Sequence, residues 1–343
     1  MAQTATSAAY IMERDILPVL PGRLRRILGN LKEAHLAAVE EIRLREGRPL
    51  MLSMGAGDTM VDESGQPTAD RRAAVVLTRE DLSRSLQLMT GGSVYTLEEE
   101  LRMGFLTLRG GHRVGLVGRA LLEGGRVRAL KHIAGINIRL SRQVLGAADQ
   151  VMEYIVGPGG STLFNTLIIS PPGGGKTTLL RDVIRQLSDG IAHLNFRGVK
   201  VGVVDERSEL AGCYEGVPQL EVGVRTDVLD ACPKAEGIMM LIRSMSPAVL
   251  ATDEIGRQED ISAIREALCA GVKVVATAHA STVEELRRRP NMETLLRQGL
   301  MERVIVLSRS QGPGTLEEVY DGEQRVLYRR ILAGYAGAGG IRL

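Results

Sequence analysis

The stretch from Asn165 to Leu180, read NTLIISPPGGGKTTLL, constrains the fold more than any other part of the chain. An apolar run breaks at two prolines, passes three glycines and reaches Lys176 and Thr177 before a helix-like segment. This order of strand, glycine-rich loop and helix start is what a phosphate-binding loop requires. Glycines let successive backbone N–H groups turn toward phosphate oxygens, and the helix adds the positive end of its dipole. The stretch therefore predicts a nucleotide-binding site.

Each residue of this loop has an expected role. Lys176 is expected to contact the β- and γ-phosphates of ATP, and the Thr177 hydroxyl to ligate Mg²⁺. The usual pattern is G-x-x-x-x-G-K-[ST], and Ser170 stands where it has its first glycine. The alternative reading is a glycine-rich turn at the start of an ordinary helix. The predicted nucleotide-binding residues are Ser170, Pro171, Pro172, Gly173, Gly174, Gly175, Lys176, Thr177 and Thr178.

Composition narrows the classes of protein. The chain has 343 residues, enough for two domains, and a net charge of +2 with 3% aromatic residues and no Trp. This balance disfavours a nucleic-acid partner, which bulk basic charge and stacking aromatics would favour. The three cysteines lack metal-ligand spacing, which predicts no metal cluster and a reduced, cytoplasmic setting. Without a long apolar run or a signal-peptide pattern, the chain is not expected to span a membrane, although it could act beside one.

The chain is expected to form two domains. From residue 163 onward, buried-strand runs alternate with helical segments, which predicts an α/β fold with a mainly parallel sheet. Residues 163–343 are the predicted nucleotide-binding domain, with a RecA-like P-loop NTPase fold. Residues 1–145 read as a smaller α+β domain, and 146–162 as a connecting helix and linker.

Patterns within the smaller domain predict individual elements. EIRLREGRPLMLSM reads as two strands around a turn, AAVVLT as a strand, and residues 55–70 as an exposed loop. Thr78 and Thr96 each begin a plausible helix cap. FLTL, RVGLVG, RVRAL and INIRL read as four short strands. The basic stretch around the last three is either a set of charge-protected strand edges or an interface with phosphate or a neighbouring subunit.

Acidic residues follow two of the apolar strands in the second domain. Asp205 and Glu206 come after VGVV, and Asp253 and Glu254 come after PAVLAT. Ligands of open α/β sheets lie at the carboxyl ends of strands, so both pairs are expected beside the phosphate loop. Asp253 is expected to anchor Mg²⁺ together with Thr177. Glu254, Glu206 or Asp205 is expected to activate the attacking water, with Lys176 completing the catalytic set.

His279 follows a further strand, in ATAHAST. A single His near a strand end is commonly structural, and the residues after it would also suit a helix cap. Beside a phosphate loop, His279 is expected to sense the γ-phosphate by a hydrogen bond. No suitably spaced His or Cys lies nearby in the sequence to make it a metal ligand.

These motifs, in this order, resemble the RecA-like ATPases of type II and type IV secretion. A closer resemblance runs through both domains to the stage III sporulation protein AA family, carried by EIRLREGRPL, YTLEEELRMGFLTLRGGHRVGLVGRA, LIISPPGGGKTTLLRD, VVDERSEL and ATDEIG. It implies an ATPase forming a homo-oligomeric ring, a hexamer, at the cytoplasmic face of a membrane. Its partners would be the membrane-embedded channel subunits of the sporulation complex between mother cell and forespore.

The resemblance also implies ATP at subunit borders, with arginines that stabilise the γ-phosphate charge. Four arginines are candidates: Arg113, Arg119, Arg225 and Arg257. The acidic box DERSE departs from the usual form in secretion ATPases, so the carboxylate that activates water stays open. Two other hypotheses remain: a nucleic-acid-stimulated RecA-like ATPase, and a structural protein that binds nucleotide to control ring assembly.

Overall fold

The computed structural model describes residues 8–55, 57–92, 102, 104–331 and 341–342. The chain divides into two compact units, one ending at Arg142 and the other beginning at Gln143. Each unit has its own sheet. The domain limits predicted from the sequence stay predictions.

The N-terminal unit contains short helices and a sheet. Its helices are α1 Ala8–Ile11, α2 Gly22–Gly29, α3 Glu33–Ala38 and α4 Arg79–Met89, with a π-helical turn at Met12–Ile16 and 3₁₀ turns at Leu17–Val19 and Arg109–Gly111. Its strands are β1 Val39–Arg45, β2 Met51–Met54, β3 Gly57–Val61, β4 Pro67–Thr68, β5 Phe105–Leu108, β6 His112–Glu123 and β7 Arg126–Arg139.

These seven strands form one antiparallel sheet in the order β4-β3-β2-β1-β7-β6-β5. Residues on β1 alternate, with Ile42 and Leu44 buried and Arg43 and Arg45 partly exposed. One face therefore joins the helices in a core, as expected for an antiparallel sheet with one solvated face.

The structure tests several predictions for this unit. The paired strands β1 and β2 are confirmed, and Thr78 forms the predicted capping box with Asp81. The expected loop at 55–70 is wrong, because β3 and β4 lie within it. The expected strand AAVVLT is also wrong, since only isolated bridges at Ala74 and Val76 pair there. The predicted cap at Thr96 lies outside the described residues.

Four short strands are predicted between residues 105 and 140, and the last two of them do not exist as separate strands. RVRAL and INIRL belong to the single 14-residue strand β7, and β6 has 12 residues. The sequence pattern suggests breaks between these strands. In the structure, register shifts in the β6–β7 pairing let the two strands stay paired through those points.

The C-terminal unit alternates strands and helices. Its helices are α5 Met152–Ile155, α6 Lys176–Asp189, α7 Lys234–Met245, α8 Gln258–Cys269, α9 Val283–Arg287 and α10 Pro290–Arg297, with 3₁₀ turns at Pro158–Gly160 and Ala192–Leu194. Its strands are β8 Thr166–Ser170, β9 Val201–Asp205, β10 Thr226–Asp230, β11 Val249–Thr252, β12 Lys273–His279, β13 Arg303–Ser308, β14 Thr315–Asp321, β15 Val326–Arg329 and β16 Ile341–Arg342. The connecting helix expected within residues 146–162 is only the four residues of α5.

The nine strands run in the order β10-β9-β11-β12-β8-β13-β14-β15-β16. The first six are parallel and the last three are added antiparallel. On β8, Ile168 packs in the cluster with α6, while Leu167 and Ile169 pack in the cluster with α7 and α8. Both faces are covered by helices, which explains why the strands read as continuous apolar runs. This is the predicted α/β fold.

Candidate nucleotide-binding site

The phosphate loop connects β8 to α6 and depends on its glycines. Gly173 and Gly175 have φ values of 69° and 88°, a left-handed conformation that side chains disfavour. The Gly174 N–H donates to the Pro171 carbonyl at 3.1 Å, which closes the turn. A Cβ at Gly174 would lie 2.4 Å from Ser170 Oγ, so only glycine fits there.

The same contact accounts for serine in place of the usual first glycine. The Ser170 hydroxyl donates to the Pro171 carbonyl at 2.8 Å and lies in the space that a side chain at 174 would need. Ser170 itself is fully buried at the end of β8. The loop therefore tolerates a side chain at 170 because residue 174 has none.

Lys176 is the first residue of α6 and is 5% exposed. Its ammonium lies within hydrogen-bond distance of the Ser170 carbonyl at 3.1 Å, Ser170 Oγ at 3.2 Å and the Pro171 carbonyl at 3.4 Å. Burial lowers the pKa of Lys176, and the charges of Glu254 and Asp253 act in the opposite direction. These three acceptors hold the ammonium across the loop.

A hydrogen-bonded chain links this lysine to the acidic strand end. Lys176 Nζ lies 3.1 Å from His279 Nδ1, and His279 Nε2 lies 2.8 Å from Glu254 Oε1. The ammonium can only donate, so Nδ1 accepts and Nε2 carries the proton donated to Glu254. Arg207 Nη1 donates to the other Glu254 oxygen at 2.7 Å.

Glu254 is held at this position by its backbone. Its φ is 48°, a left-handed value unusual for a residue other than glycine. The Glu254 N–H donates to Thr277 Oγ1 at 2.8 Å, and the N–H of Ile255 donates to the Thr277 carbonyl at the same distance. Such strain is typical of functional positions that neighbouring structure holds in place.

Asp253 is buried, with 1% of its surface exposed. Neither carboxylate oxygen has a hydrogen-bond partner among the residues that the structure describes. Burial, with a smaller contribution from Asp205, raises the pKa of Asp253 to about 7. A buried carboxylate without partners is costly, and a cation is the group that would satisfy it.

The other acidic pair is placed very differently. Asp205 Oδ1 accepts the N–H of Glu209 at 2.9 Å, and Oδ2 accepts those of Leu210 and Ala211 at 2.9 and 2.8 Å. Burial raises the pKa of Asp205, while these N–H groups act to lower it. Glu206 forms an ion pair with the buried Lys234. Both carboxylates thus have partners in the loop that follows β9 or in α7.

The sheet order brings the predicted residues together. β9, β11, β12 and β8 are consecutive neighbours, so their carboxyl ends place the two acidic pairs, His279 and the phosphate loop along one edge. His279 is directly paired with Ser170 in the β12–β8 register. The amino-acid pattern alone does not encode this order.

A loop after β13 also contacts the phosphate loop and was missed from the sequence. The Gly314 N–H donates to the Gly174 carbonyl at 3.0 Å. A Cβ at Gly175 would lie 2.7 Å from Gly314 N, and one at Gly173 would lie 3.4 Å from Arg309 Nη1. The GPG triplet at 312–314 was the available signal, but its meaning depends on β13 lying beside β8.

Within their own units, the four candidate arginines lie on different elements. Arg225 donates to the Ser188 carbonyl at 2.6 Å, at the end of α6 opposite to the phosphate loop. Arg257 precedes α8 as its N-cap residue. Arg113 and Arg119 belong to β6, where the Arg113 guanidinium stacks 4.0 Å over the Phe105 ring.

The family described as "Sporulation stage III, protein AA" matches residues 12–327. The chain belongs to this family. A relative within it, stage III sporulation protein AA of Bacillus subtilis (strain 168), is 46% identical over 315 residues, which cover 92% of this chain and 97% of the relative. The protein SEEDLING PLASTID DEVELOPMENT 1 of Arabidopsis thaliana is 27% identical over 86% of this chain but only 37% of its own length.

Two solved ATPase structures resemble the structure of this member of the sporulation protein AA family. The X-ray structure of the Legionella pneumophila ATPase DotB matches with a TM-score of 0.55 and 18% identity, covering 89% of this chain and 83% of DotB. The ATPase DotB of Yersinia pseudotuberculosis matches with a TM-score of 0.50 and 14% identity, covering 83% and 76%. At these identities the likeness shows the fold alone, and it confirms the predicted α/β fold.

Two features are absent from the described residues of this family member. No helix among them has the length and apolar character needed to cross a bilayer. Nor does the described part of the chain contain three or more His, Cys, Asp or Glu side chains gathered as a metal site. A Mg²⁺ ion bound largely by phosphate oxygens and water needs fewer protein ligands than such a cluster provides.

Proposed function

We propose that this protein is a Mg²⁺-dependent ATPase that powers or assembles a secretion-like channel during endospore formation. The observation that carries the proposal is the buried Asp253 carboxylate, unpaired among the described residues, at the sheet edge that also holds the phosphate loop. An unsatisfied buried acid is expected where a ligand completes the site. Family membership supports the sporulation role, and the fold supports the ATPase activity.

The phosphate loop binds the triphosphate of ATP in this proposal. Backbone N–H groups from Gly173 to Thr178, other than the Gly174 N–H that closes the turn, surround the phosphates, and the amino end of α6 adds partial positive charge. Lys176 exchanges its contacts with His279 and the loop carbonyls for phosphate oxygens. His279 Nδ1, released from Lys176, must then carry a proton to donate to the γ-phosphate, because phosphate oxygens accept.

Thr177 and Asp253 are the residues that would hold Mg²⁺. They supply a hydroxyl and a carboxylate, the hard oxygen ligands that this ion prefers, and Asp253 has both oxygens unpaired among the described residues. When bound, the ion neutralises charge on the β- and γ-phosphate oxygens. Ionised Asp253 would hold it most strongly at and above neutral pH, because burial raises the pKa of this carboxyl to about 7.

Glu254 is our choice for the residue that activates water. It is partly exposed, held by a strained backbone and linked to Lys176 through His279. Asp205 already accepts three backbone N–H groups, and Glu206 is paired with Lys234. We therefore assign Asp205 to loop anchoring and Glu206 to positioning.

The working assembly in this proposal is a homo-oligomeric ring, a hexamer, at the cytoplasmic face of a membrane in the mother cell. Its partners are membrane-embedded channel subunits. ATP lies at subunit borders, where an arginine from a neighbour or from the N-terminal unit stabilises the γ-phosphate. Since Arg225 is bonded at the opposite end of α6, it could serve only a neighbouring subunit.

The decisive experiment is ATP turnover with Lys176→Ala. The variant loses the cation that contacts the phosphates, so turnover should fall by about 10³-fold or more, by analogy with removing a transition-state cation. Lys200→Ala, an exposed lysine of the same unit, is the matched control and should keep wild-type turnover.

Equal Mg²⁺-dependent turnover in Lys176→Ala and wild type would contradict the proposal. Tight ATP binding without turnover in the wild type, with ATP-dependent ring formation by size-exclusion chromatography, would favour a structural nucleotide-binding protein instead. Turnover that requires single-stranded nucleic acid would favour the RecA-like alternative.

A further inference from the structure

A groove on the N-terminal unit is lined by cationic side chains that the ATPase proposal does not use as a group. Its volume is about 940 Å³, and it lies where the turn after β1 meets the middle of the β6–β7 hairpin. Apart from glycine, alanine, proline, valine and methionine residues, its lining consists of Arg43, Arg45, Arg48, Arg71, Arg119 and His132. None of the described residues in this lining is acidic.

The floor of the groove is built around Arg45. A Cβ at the buried Gly135 would lie 2.9 Å from Arg45 Cδ and 3.1 Å from Nε, so the arginine stem lies across β7 only because residue 135 is glycine. Arg45 Nη1 donates to the carbonyls of Leu44 and Ile136 at 2.9 and 3.1 Å. This guanidinium is therefore fixed in place before any ligand arrives.

The β6–β7 hairpin narrows beside this floor. A Cβ at Gly118 would lie 2.7 Å from the Lys131 carbonyl and 2.8 Å from that of His132. The pairing shifts register between Val117 and Arg119, and His132 adopts a left-handed φ of 49°. This irregularity places Arg119 and His132 in the groove wall, and bulges of this kind commonly re-aim side chains.

The cations of the groove are poorly compensated. Arg43 has partners at the rim, Asp58 at 3.2 Å and Glu41 at 3.5 Å. Burial lowers the pKa of Arg45, and the neighbouring charge of Arg43 lowers it further. Among the described residues, Arg48, Arg71 and Arg119 have no side-chain ion pair. Like charges held together in a recess create a strong positive potential.

We propose that this arginine groove binds a ligand carrying phosphate groups. A phosphate presents three oxygens and up to two negative charges at one point, so it can accept from several guanidinium forks at once. A carboxylate presents two oxygens and one charge. Arginines from four segments of the chain meet in this groove. Such a set of cations suits a phosphate group better than a single carboxylate.

Two sources share this chemistry: a soluble polyphosphate and the headgroup of an anionic phospholipid. The hairpin beside the groove carries exposed apolar side chains near its tip, with Leu122 at 67% and Val127 at 41% exposure, and these two residues are paired. Apolar residues next to cations suit a membrane surface. The two sources therefore require separate arms of one experiment.

The first arm measures tripolyphosphate binding by calorimetry to the full chain carrying Lys176→Ala, so that the phosphate loop contributes little. We expect one saturable site. Adding Arg48→Gln and Arg71→Gln should weaken it about 10- to 100-fold, since two charge-assisted contacts are lost. Adding Arg26→Gln and Arg72→Gln instead is the matched control, because both arginines are exposed in the same unit and lie outside the groove. Arg119 is left unchanged because it is also a candidate contact for ATP.

The second arm measures co-sedimentation with phosphatidylglycerol vesicles, with phosphatidylcholine vesicles for comparison. A lipid source predicts binding to the anionic vesicles that falls in the Arg48→Gln, Arg71→Gln variant and persists in the control. Leu122→Ser with Val127→Ser should then reduce vesicle binding while leaving tripolyphosphate binding unchanged. A soluble source predicts the reverse pattern, with tripolyphosphate bound and vesicles ignored.

The proposal is overturned if the groove variant and its control bind both ligands equally. It is also overturned if polyglutamate displaces tripolyphosphate at equal charge concentration, which would indicate an acidic protein partner. Single-stranded oligonucleotide bound more tightly than either ligand, through the same arginines, would replace it with a nucleic-acid site. Each result is independent of ATP turnover, so failure here and failure of the ATPase proposal are distinguishable.

Discussion

The ends of β9 and β11 carry the same two residues and use them in different ways. Each strand is buried, and each carries Asp-Glu at its carboxyl end: Asp205 ends β9 and Glu206 follows it, while Asp253 and Glu254 follow β11. Asp205 accepts three backbone N–H groups, whereas Asp253 accepts none from the described residues. One aspartate therefore stabilises the fold, and the other lies buried at an energetic cost that a ligand would relieve.

The glutamates divide in the same way. Glu206 pairs with Lys234, a buried cation within the same unit. Glu254 instead bonds His279 and Arg207, side chains that are 40% and 52% exposed and can rearrange. The two adjacent strand ends share one sequence pattern, but the carboxylates of the first are bonded within the fold, whereas those of the second are unpaired among the described residues or bonded to exposed side chains.

The largest expected effect is on turnover, and it tests the glutamates. Glu254→Gln should lower the rate of ATP hydrolysis by about 10²- to 10⁴-fold while ATP binding persists, because a general base is lost. Glu206→Gln is the matched variant and should change the rate by less than about tenfold. Steady-state phosphate release measures both. A larger loss in Glu206→Gln would reverse the two assignments.

The next effect is on stability, and it tests Asp205. Asp205→Ala leaves three backbone N–H groups without their acceptor, so the free energy of unfolding should fall by about 2–4 kcal/mol. Urea denaturation followed by circular dichroism measures it. Unchanged stability, accompanied by lost turnover, would contradict the anchoring role and return Asp205 to the catalytic candidates.

A smaller effect of opposite sign is expected for Asp253. Asp253→Asn removes a buried charge without breaking any hydrogen bond to the described residues, so nucleotide-free protein at pH 8 should gain about 1–2 kcal/mol. Mg²⁺-dependent turnover should be lost in the same variant. The same denaturation assay, without Mg²⁺, checks the gain, and a loss of stability would show that unseen groups already satisfy this carboxylate.

The smallest effect extends the comparison to a buried histidine of the N-terminal unit, His112. His112 is 1% exposed, lies 3.2 Å from Asp15 Oδ2 and accepts the Ser141 N–H at its Nδ1. Burial lowers the pKa of His112, with Asp15 opposing this shift and Arg14 adding to it. The folded state thus favours neutral imidazole, and its stability contribution is complete above the unfolded value of about 6.5 and declines below it.

Stability should therefore fall as the pH is lowered from 7 to 5, because His112 takes up a proton more readily in the unfolded chain. His112→Asn should flatten that portion of the profile, and His193→Asn, an exposed histidine, should not. Denaturant midpoints across this pH range measure the difference. Parallel profiles for wild type and His112→Asn would mean that this histidine does not titrate with folding.

The sequence was sufficient for the α/β class of the C-terminal unit, because buried-strand runs alternate with helical segments along much of it. It also located the phosphate loop, because its glycines are required by the local backbone conformation. It could not distinguish Asp205 from Asp253, since the difference lies in amides contributed by residues 209–211 and in the order of strands. Arg309 and the arginine groove were missed for the same reason, because they depend on contacts between segments far apart in the chain.

The contact between Ser170 and Gly174 has a consequence for evolution. Positions 170 and 174 share one small volume, so a side chain can occupy either but not both. Substitutions at the two positions should covary among relatives, with serine or alanine at the first found only beside glycine at the second. A pattern search that insists on glycine at the first position would pass over such chains, although their loops can close in the same way.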